Sequence, residues 1–340
     1  MFEKLLSFFG RDLAMDLGTA NTLLFTREQG IVLNEPSVVA LSAESKEIIA
    51  VGAEAKEFLG RTPHKIQAVR PLQDGVIADF EVTKRMISYF ISKALTGVRL
   101  VKPNIVICVP TGITQVEKRA VIEAAHQAGT RNVRLIEEPM AAAIGANLPV
   151  GEPIGNLVVD IGGGTTEVAV ISLSAIAYSE SVRVAGDFMN RAIQRYFQDE
   201  FQLMIGENMS ERVKIKIGSA CPLPQPLVMD VPGKDLVSGT PRALKVTDAH
   251  IREALEDPVR VIVQAVRKAL DKTPPELAGD ILSNGVLMAG GGSLLKGLDT
   301  RLYNETRLTI LLDDDPLTTV VRGTGKTLDN IPGYQDVFIN

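Results

Sequence analysis

Two aspartates, each followed by a glycine turn, carry the strongest chemical signal in this sequence. Asp16-Leu17-Gly18-Thr19-Ala20-Asn21 and Asp160-Ile161-Gly162-Gly163-Gly164-Thr165-Thr166 share one grammar. An apolar strand ends in Asp, a glycine turn follows, and a second strand leaves. Taken alone, the first hairpin reads as an ordinary turn. The second copy changes its meaning. Three successive glycines let backbone N–H groups approach an anion closely. Thr19, Thr165 and Thr166 add hydroxyl donors. An Asp at each strand end repels phosphate unless a cation lies between. Mg²⁺, a hard ion held by oxygen ligands and often through water, meets that need. The pair describes a clamp on a polyphosphate, with Asp16 and Asp160 on the metal side.

A third glycine run, Leu287-Met288-Ala289-Gly290-Gly291-Gly292-Ser293, reads as a strand entering a helix, with Ser293 as N-cap. Helix N-termini attract anions, and glycines let a flat ring or ribose lie against the backbone. On its own this piece is equally an ordinary strand-to-helix turn. The chain has no GxxxxGK[ST] loop, and Gly162–Gly164 opens a strand rather than the helix a dinucleotide fingerprint requires.

The elements that must position these turns alternate between strand and helix, an α/β pattern. Strands are expected at 12–26, 31–51, 104–109, 133–137 and 156–172. Val82, Met86, Ile87, Phe90, Ile91 and Leu95 fall at amphipathic-helix spacing. Thr114 with Glu117 forms a capping box for the next helix, and Pro139 sits at a helix start. Asp187 is expected to cap a helix to about residue 204. Thr247 is expected to cap a long helix to about 270, interrupted by Pro258. Residues 222–246 suit a small β-containing unit.

With 340 residues, the chain suggests about two domains. The formal charge of −5 gives no nucleic-acid footprint. Two separate cysteines, Cys108 and Cys221, fit a reducing compartment. His64, His126 and His250 lack metal-ligand spacing. No apolar run reaches the roughly 20 residues of a spanning helix, and the N-terminus lacks signal-peptide features. The body of the protein is therefore expected in the cytoplasm.

The order DLGTAN (16–21), EEPMAAAIGA (137–146), DIGGGTTEVAV (160–170) and LMAGGGSLLKGL (287–298) resembles the actin, heat-shock-chaperone and sugar-kinase superfamily. Within it, residues 10–335 are similar to the bacterial actins that maintain rod shape. The resemblance implies an actin-like fold of four subdomains around an ATP cleft. Residues 12–146 with 318–335 would form one domain, with a small subdomain at about 32–74. Residues 147–317 would form the other, with a small subdomain at about 183–249. It implies phosphate contacts at Gly18–Asn21 and Gly162–Gly164, Mg²⁺ at Asp16 and Asp160, and adenosine contacts at Gly290–Gly292. EEPMAAAIGA and TTVVRGTGKTLD (318–329) match the connecting helices, whose small residues permit a close crossing. Glu138, otherwise a helix-dipole partner, would orient the attacking water with Thr165 or Thr166. A carboxylate near its ordinary pKa suits positioning better than proton abstraction. Glu211 and Lys214, otherwise a surface pair, would contact adenosine. Hydrolysis is expected to be slow. The partners implied are further copies of the chain in filaments, the inner face of the cytoplasmic membrane and wall-synthesis proteins.

Phe2, Leu5, Leu6 and Phe9 share one helical face. Such a face packs on the core or lies in a membrane interface. The resemblance favours the membrane, and it places a second apolar contact at Leu100 and Val101, which could equally begin the strand near 104. A sugar-type kinase of the same superfamily is the alternative. It would use an Asp base in the first domain, and VPTGITQVEKR (109–119) supplies none. A chaperone ATPase would need a further domain beyond about residue 335.

Overall fold

The computed structural model describes residues 12–61, 65–95 and 102–339. Phe2, Leu5, Leu6, Phe9, Leu100 and Val101 lie outside them. The first half runs β1 (Leu13–Leu17), β2 (Asn21–Thr26), β3 (Gly30–Pro36), β4 (Val39–Ser42), β5 (Ile48–Val51), α1 (Ala53–Glu57), β6 (Ile66–Val69), β7 (Leu72–Gln73), β8 (Val76–Ile77), α2 (Phe80–Ala94), β9 (Ile105–Val109), α3 (Gln115–Gln127), β10 (Val133–Glu137) and α4 (Glu138–Gly145). The second runs β11 (Asn156–Ile161), β12 (Thr166–Ser172), β13 (Ala175–Val182), α5 (Gly186–Phe201), β14 (Leu203–Met204), α6 (Glu207–Ile217), β15 (Val228–Asp235), β16 (Pro241–Thr247), α7 (Asp248–Lys272), α8 (Pro275–Asn284), β17 (Val286–Ala289), α9 (Leu298–Thr306), β18 (Ile310–Leu312) and α10 (Thr319–Asp329).

The two large sheets have one topology. Their orders are β10-β9-β1-β2-β3 and β18-β17-β11-β12-β13. In each, the first strand pairs antiparallel with the next and parallel with a strand that arrives through a helix. Asp16 stands opposite Leu23 across its hairpin, and Asp160 stands opposite Glu167. The repeated Asp–glycine grammar is thus the local sign of a repeated sheet.

Strand alternation divides the interior into layers. Leu13, Met15 and Leu17 face the first core, while Val159, Ile161, Val168 and Val170 face the second. The intervening residues Ala14, Val106, Val158 and Ala169 face a shared middle layer containing α4 and α10. The same parity turns Asp16, Asp160 and Glu167 toward that middle layer.

Helices α4 and α10 cross there at backbone contact. A Cβ on Gly323 would collide with the Ala141 carbonyl oxygen, and one on Gly145 with that of Thr319. Lys326 Nζ donates to the carbonyls of Ile144 and Gly145, at 3.1 and 2.7 Å. It satisfies groups that every helix C-terminus leaves open. Gly325 has a different neighbour, the Phe25 ring.

Local signals place some helix starts. Thr114 and Glu117 form both halves of the capping box. Thr247 caps α7. Three expectations are corrected. Ala185, not Asp187, is the N-cap of α5, and Asp187 lies in its first turn. Helix α7 runs unbroken through Pro258, because Leu255, Val259, Ile262 and Val266 bury one continuous stripe in the second core. Ser293 lies inside a short 3₁₀ turn, Gly291–Leu294, and α9 begins only after Gly297.

Gly323→Ala is expected to cost about 1–3 kcal/mol through overpacking. A lowered thermal midpoint checks this. An unchanged midpoint would refute backbone contact at the crossing.

Candidate functional site

The two like sheets open a cleft of about 280 Å³ above the middle layer. Asp16, Gly18, Thr19, Ala20 and Asn21 line one side, with Asp160, Gly162, Gly163, Gly164 and Thr165 opposite. Glu138, at the start of α4, lines it as well, as do Gly290, Gly291 and Gly292. Glu211 and Lys214, on α6, complete the set read from sequence. Residues from Asp16 to Gly292 converge because the hairpin and glycine residues lie at strand ends, Glu138 lies at a helix start, and Glu211 and Lys214 lie on one face of α6.

The hairpins touch one another. A Cβ on Gly163 would lie 2.5 Å from the Ala20 side chain, and one on Gly164 2.7 Å from Thr19 Oγ. Gly290 has φ +76°, and a Cβ there would strike Asp160 Oδ1. These contacts exclude side chains where backbone N–H groups approach the cleft.

Two expected residues stand apart from the cleft wall. Thr166 begins β12 with the parity of Val168, is fully buried, and donates its hydroxyl to Val184 O at 2.7 Å. Ser293 donates to Gly290 O at 2.6 Å, closing its own turn.

The electrostatics are unusual. Burial, then the neighbouring Asp160, pushes Asp16 up to about 7. Burial pushes Asp160 up to about 6. Burial, then Glu167, Asp160 and Asp16, holds Glu138 well above the usual carboxylate range, which corrects the ordinary value expected from sequence. Asp160 Oδ1 is buried without a hydrogen-bond partner. Carboxyl groups gathered this closely favour protonation or a cation. Lys214 Nζ donates to Gly186 O at 2.8 Å, and its charge acts on Asp187 rather than on these three carboxyls.

Sequence reading missed several groups. Gly186, Asp187, Pro316, Leu317 and Val320 also line the cleft. The Asp74-Gly75 turn, with φ +49° and +77°, brings Gly75 N–H to Thr19 Oγ at 3.4 Å. The Asp-Gly dipeptide is a hairpin signal, but its partner is not legible locally. Across the mouth, Lys56 pairs with Glu211 at 2.8 Å, Arg70 with Glu207 at 2.5 Å, and Arg191 with Asp74 at 3.3 Å. Glu211 thus engages the opposite half of the molecule.

Paired sheets of one topology, a crossing helix pair between them, and glycine hairpins facing over buried carboxyls define the actin-like fold. The chain belongs to the MreB/Mbl protein family, whose profile matches residues 10–336. It is 50% identical over 336 residues to the cell shape-determining protein MreB of Escherichia coli (strain K12), covering 97% of each chain. Crystal structures of MreB5 of Spiroplasma citri share 35% identity with it. The AMPPNP-bound form has a TM-score of 0.91, covering 96% of this chain and 98% of that one. The ADP-bound form has a TM-score of 0.90, covering 95% and 97%.

The carboxyl cluster sets a pH dependence in the ligand-free protein. A folded pKa above the unfolded value means that the folded state holds the proton longer. Stability is therefore lost as pH rises through the folded value. Relative to the wild type, Asp16→Asn should gain stability as pH rises from about 4 to about 7 and then level off. Thermal melts of both proteins across that range check the sign, and parallel curves would refute it.

Proposed function

We propose that this chain is an actin-like ATPase that binds ATP, hydrolyses it slowly, and assembles into membrane-associated filaments that take part in determining cell shape. The convergence of both Asp–glycine hairpins, the third glycine turn and Glu138 on one cleft carries this reading. Family membership and the ADP- and AMPPNP-bound MreB5 structures support it. The cell-shape role draws on the MreB relative. The same comparisons do not favour a sugar-type kinase.

In this reading, Gly18–Asn21 and Gly162–Gly164 cradle the phosphates with backbone N–H groups, and Thr19 and Thr165 add hydroxyls. Gly290–Gly292 back the nucleoside, with Glu211 and Lys214 at the adenosine end. The partnerless Oδ1 of Asp160 and the clustered carboxyls fit a divalent cation. Asp16 and Asp160 would hold Mg²⁺ mainly through water, since among the described residues no three carboxyl, thiol or imidazole groups converge on an ion. When bound, Mg²⁺ supplies charge neutralisation for phosphoryl transfer. Glu138 orients the attacking water together with Thr165. Thr166, committed to Val184, supports the hairpin from behind.

The moving units of this reading are residues 12–146 with 318–335, and residues 147–317. The α4–α10 crossing is their pivot. ATP between the halves favours closure and head-to-tail assembly, and hydrolysis weakens the contacts between subunits. The partners are other copies of the chain, the inner face of the cytoplasmic membrane and wall-synthesis proteins. Among the described residues, no helix is long and apolar enough to cross a membrane. Attachment is assigned to the Phe2, Leu5, Leu6 and Phe9 stripe, aided by Leu100 and Val101. Many weak copies along a filament bind a surface through avidity.

Glu138→Ala should lower the hydrolysis rate by about 10²-fold or more while sparing nucleotide binding. Unchanged turnover in a single-turnover assay would remove Glu138 from this role. High-speed pelleting with Mg-ATP should rise when liposomes are present. Deleting residues 1–9 should abolish that rise and leave nucleotide binding intact. Persistent lipid co-sedimentation would count against the N-terminal stripe.

A further inference from the structure

Glu167 is an acid in an otherwise apolar strand, and the cleft chemistry does not use it. It is 1% exposed and does not line the cleft. Its carboxylate belongs to the second sheet, yet it accepts hydrogen bonds from the first half of the molecule. Thr111 N–H donates to Oε1 at 2.9 Å and to Oε2 at 3.1 Å, and Thr111 Oγ donates to Oε2 at 2.9 Å. Thr111 lies just beyond β9, in the loop that leads to α3. Two residues earlier, Val109 on β9 stands opposite Glu137 on β10. Glu137 immediately precedes Glu138.

A chain of contacts therefore runs from the second sheet to the water-orienting acid: Glu167 to Thr111, along the backbone to Val109, across the sheet to Glu137, and then one peptide bond to Glu138. Glu167 is also two residues from Thr165 in the opposite hairpin. Both ends of the proposed reaction geometry are tied to this one side chain. A buried carboxyl is tolerated when its oxygens are hydrogen-bonded, and both oxygens of Glu167 face Thr111 donors. Three bonds onto one residue fix its place, which suits a part whose purpose is placement.

We propose that Glu167 is a positioning residue: by holding Thr111 across the floor of the cleft, it fixes the Glu138 carboxyl relative to the 162–165 hairpin. This rests on the hydrolytic reading of the cleft given above. Misplacement by about 1 Å can cost about 10²-fold in rate without loss of affinity.

The test compares Glu167→Ala, Glu167→Gln and Thr111→Val in the full chain, with Mg-ATP hydrolysis and nucleotide affinity measured separately. Glu167→Ala should lower kcat about ten- to hundredfold and leave nucleotide Kd within about threefold. Glu167→Gln should recover most of the rate, because its amide still accepts from Thr111 N–H and can donate to Thr111 Oγ. Thr111→Val should fall between them. In a Glu138→Ala background, Glu167→Ala should add no further loss, since residues acting as one unit are non-additive. An undiminished rate in Glu167→Ala would overturn the proposal. A full further loss in the Glu138→Ala background, or parallel falls in kcat, affinity and thermal midpoint, would also overturn it. If the wild type binds ATP without hydrolysing it, the hydrolytic reading fails, and the rate role of Glu167 fails with it. Wild-type turnover with an indifferent Glu167→Ala sinks this inference alone.

Discussion

The buried carboxyls above the middle layer are the constraint around which this structure is arranged. Asp16, Asp160, Glu138 and Glu167 meet where two sheets face one another, and no lysine or arginine among the described side chains forms an ion pair with them. Burial drives Glu167 up to about 8. Such a cluster is expensive in a folded protein unless something positive completes it. The ligand-free fold relieves the strain by holding protons. A bound cation and nucleotide would relieve it differently, so the cleft is a place where protonation, ion binding and closure draw on one electrostatic imbalance.

The rest of the fold supplies rigidity for that imbalance to act against. Alternating residues on β1, β9, β11 and β12 give each sheet an outer core of its own and an inner face of small or polar groups. The small inner residues admit α4 and α10, and glycines at their crossing let the backbones touch. Lys326 then ties the end of α4 to α10. In the proposed motion, a crossing this tight would transmit rotation rather than absorb it, because close-packed interfaces have few intermediate arrangements.

What could be read from the sequence follows the range of the physics involved. Thr114 and Glu117 are three residues apart and define a helix start with no help from the fold. The glycine hairpins announced themselves by composition, and their duplication revealed two like units. Thr166 was misplaced because one residue of strand parity separates the cleft from the core behind it, and the turn's end cannot be fixed from glycines alone. Ser293 looked like a cap because a helix does follow, but only after Gly297. Asp187 has the residue type of a cap, but it lies in the first turn of α5 and lines the cleft. Glu167 was overlooked although a charged residue in TTEVAV (165–170) is a visible anomaly. Its partner, Thr111, comes from the other half, and only the facing of two sheets makes that pair.

The shared strand order of the two sheets bears on symmetry. Two identical halves of this build would present identical walls to a ligand. A nucleoside triphosphate has no such symmetry. The two halves differ where an asymmetric ligand would need them to. Leu23 and Glu167 hold equivalent places opposite the two aspartates, as do Cys108 and Ala289 on the neighbouring strands. One half places an apolar residue opposite its aspartate, and the other an acid. Two walls of one ground plan thus offer a ligand two different chemistries.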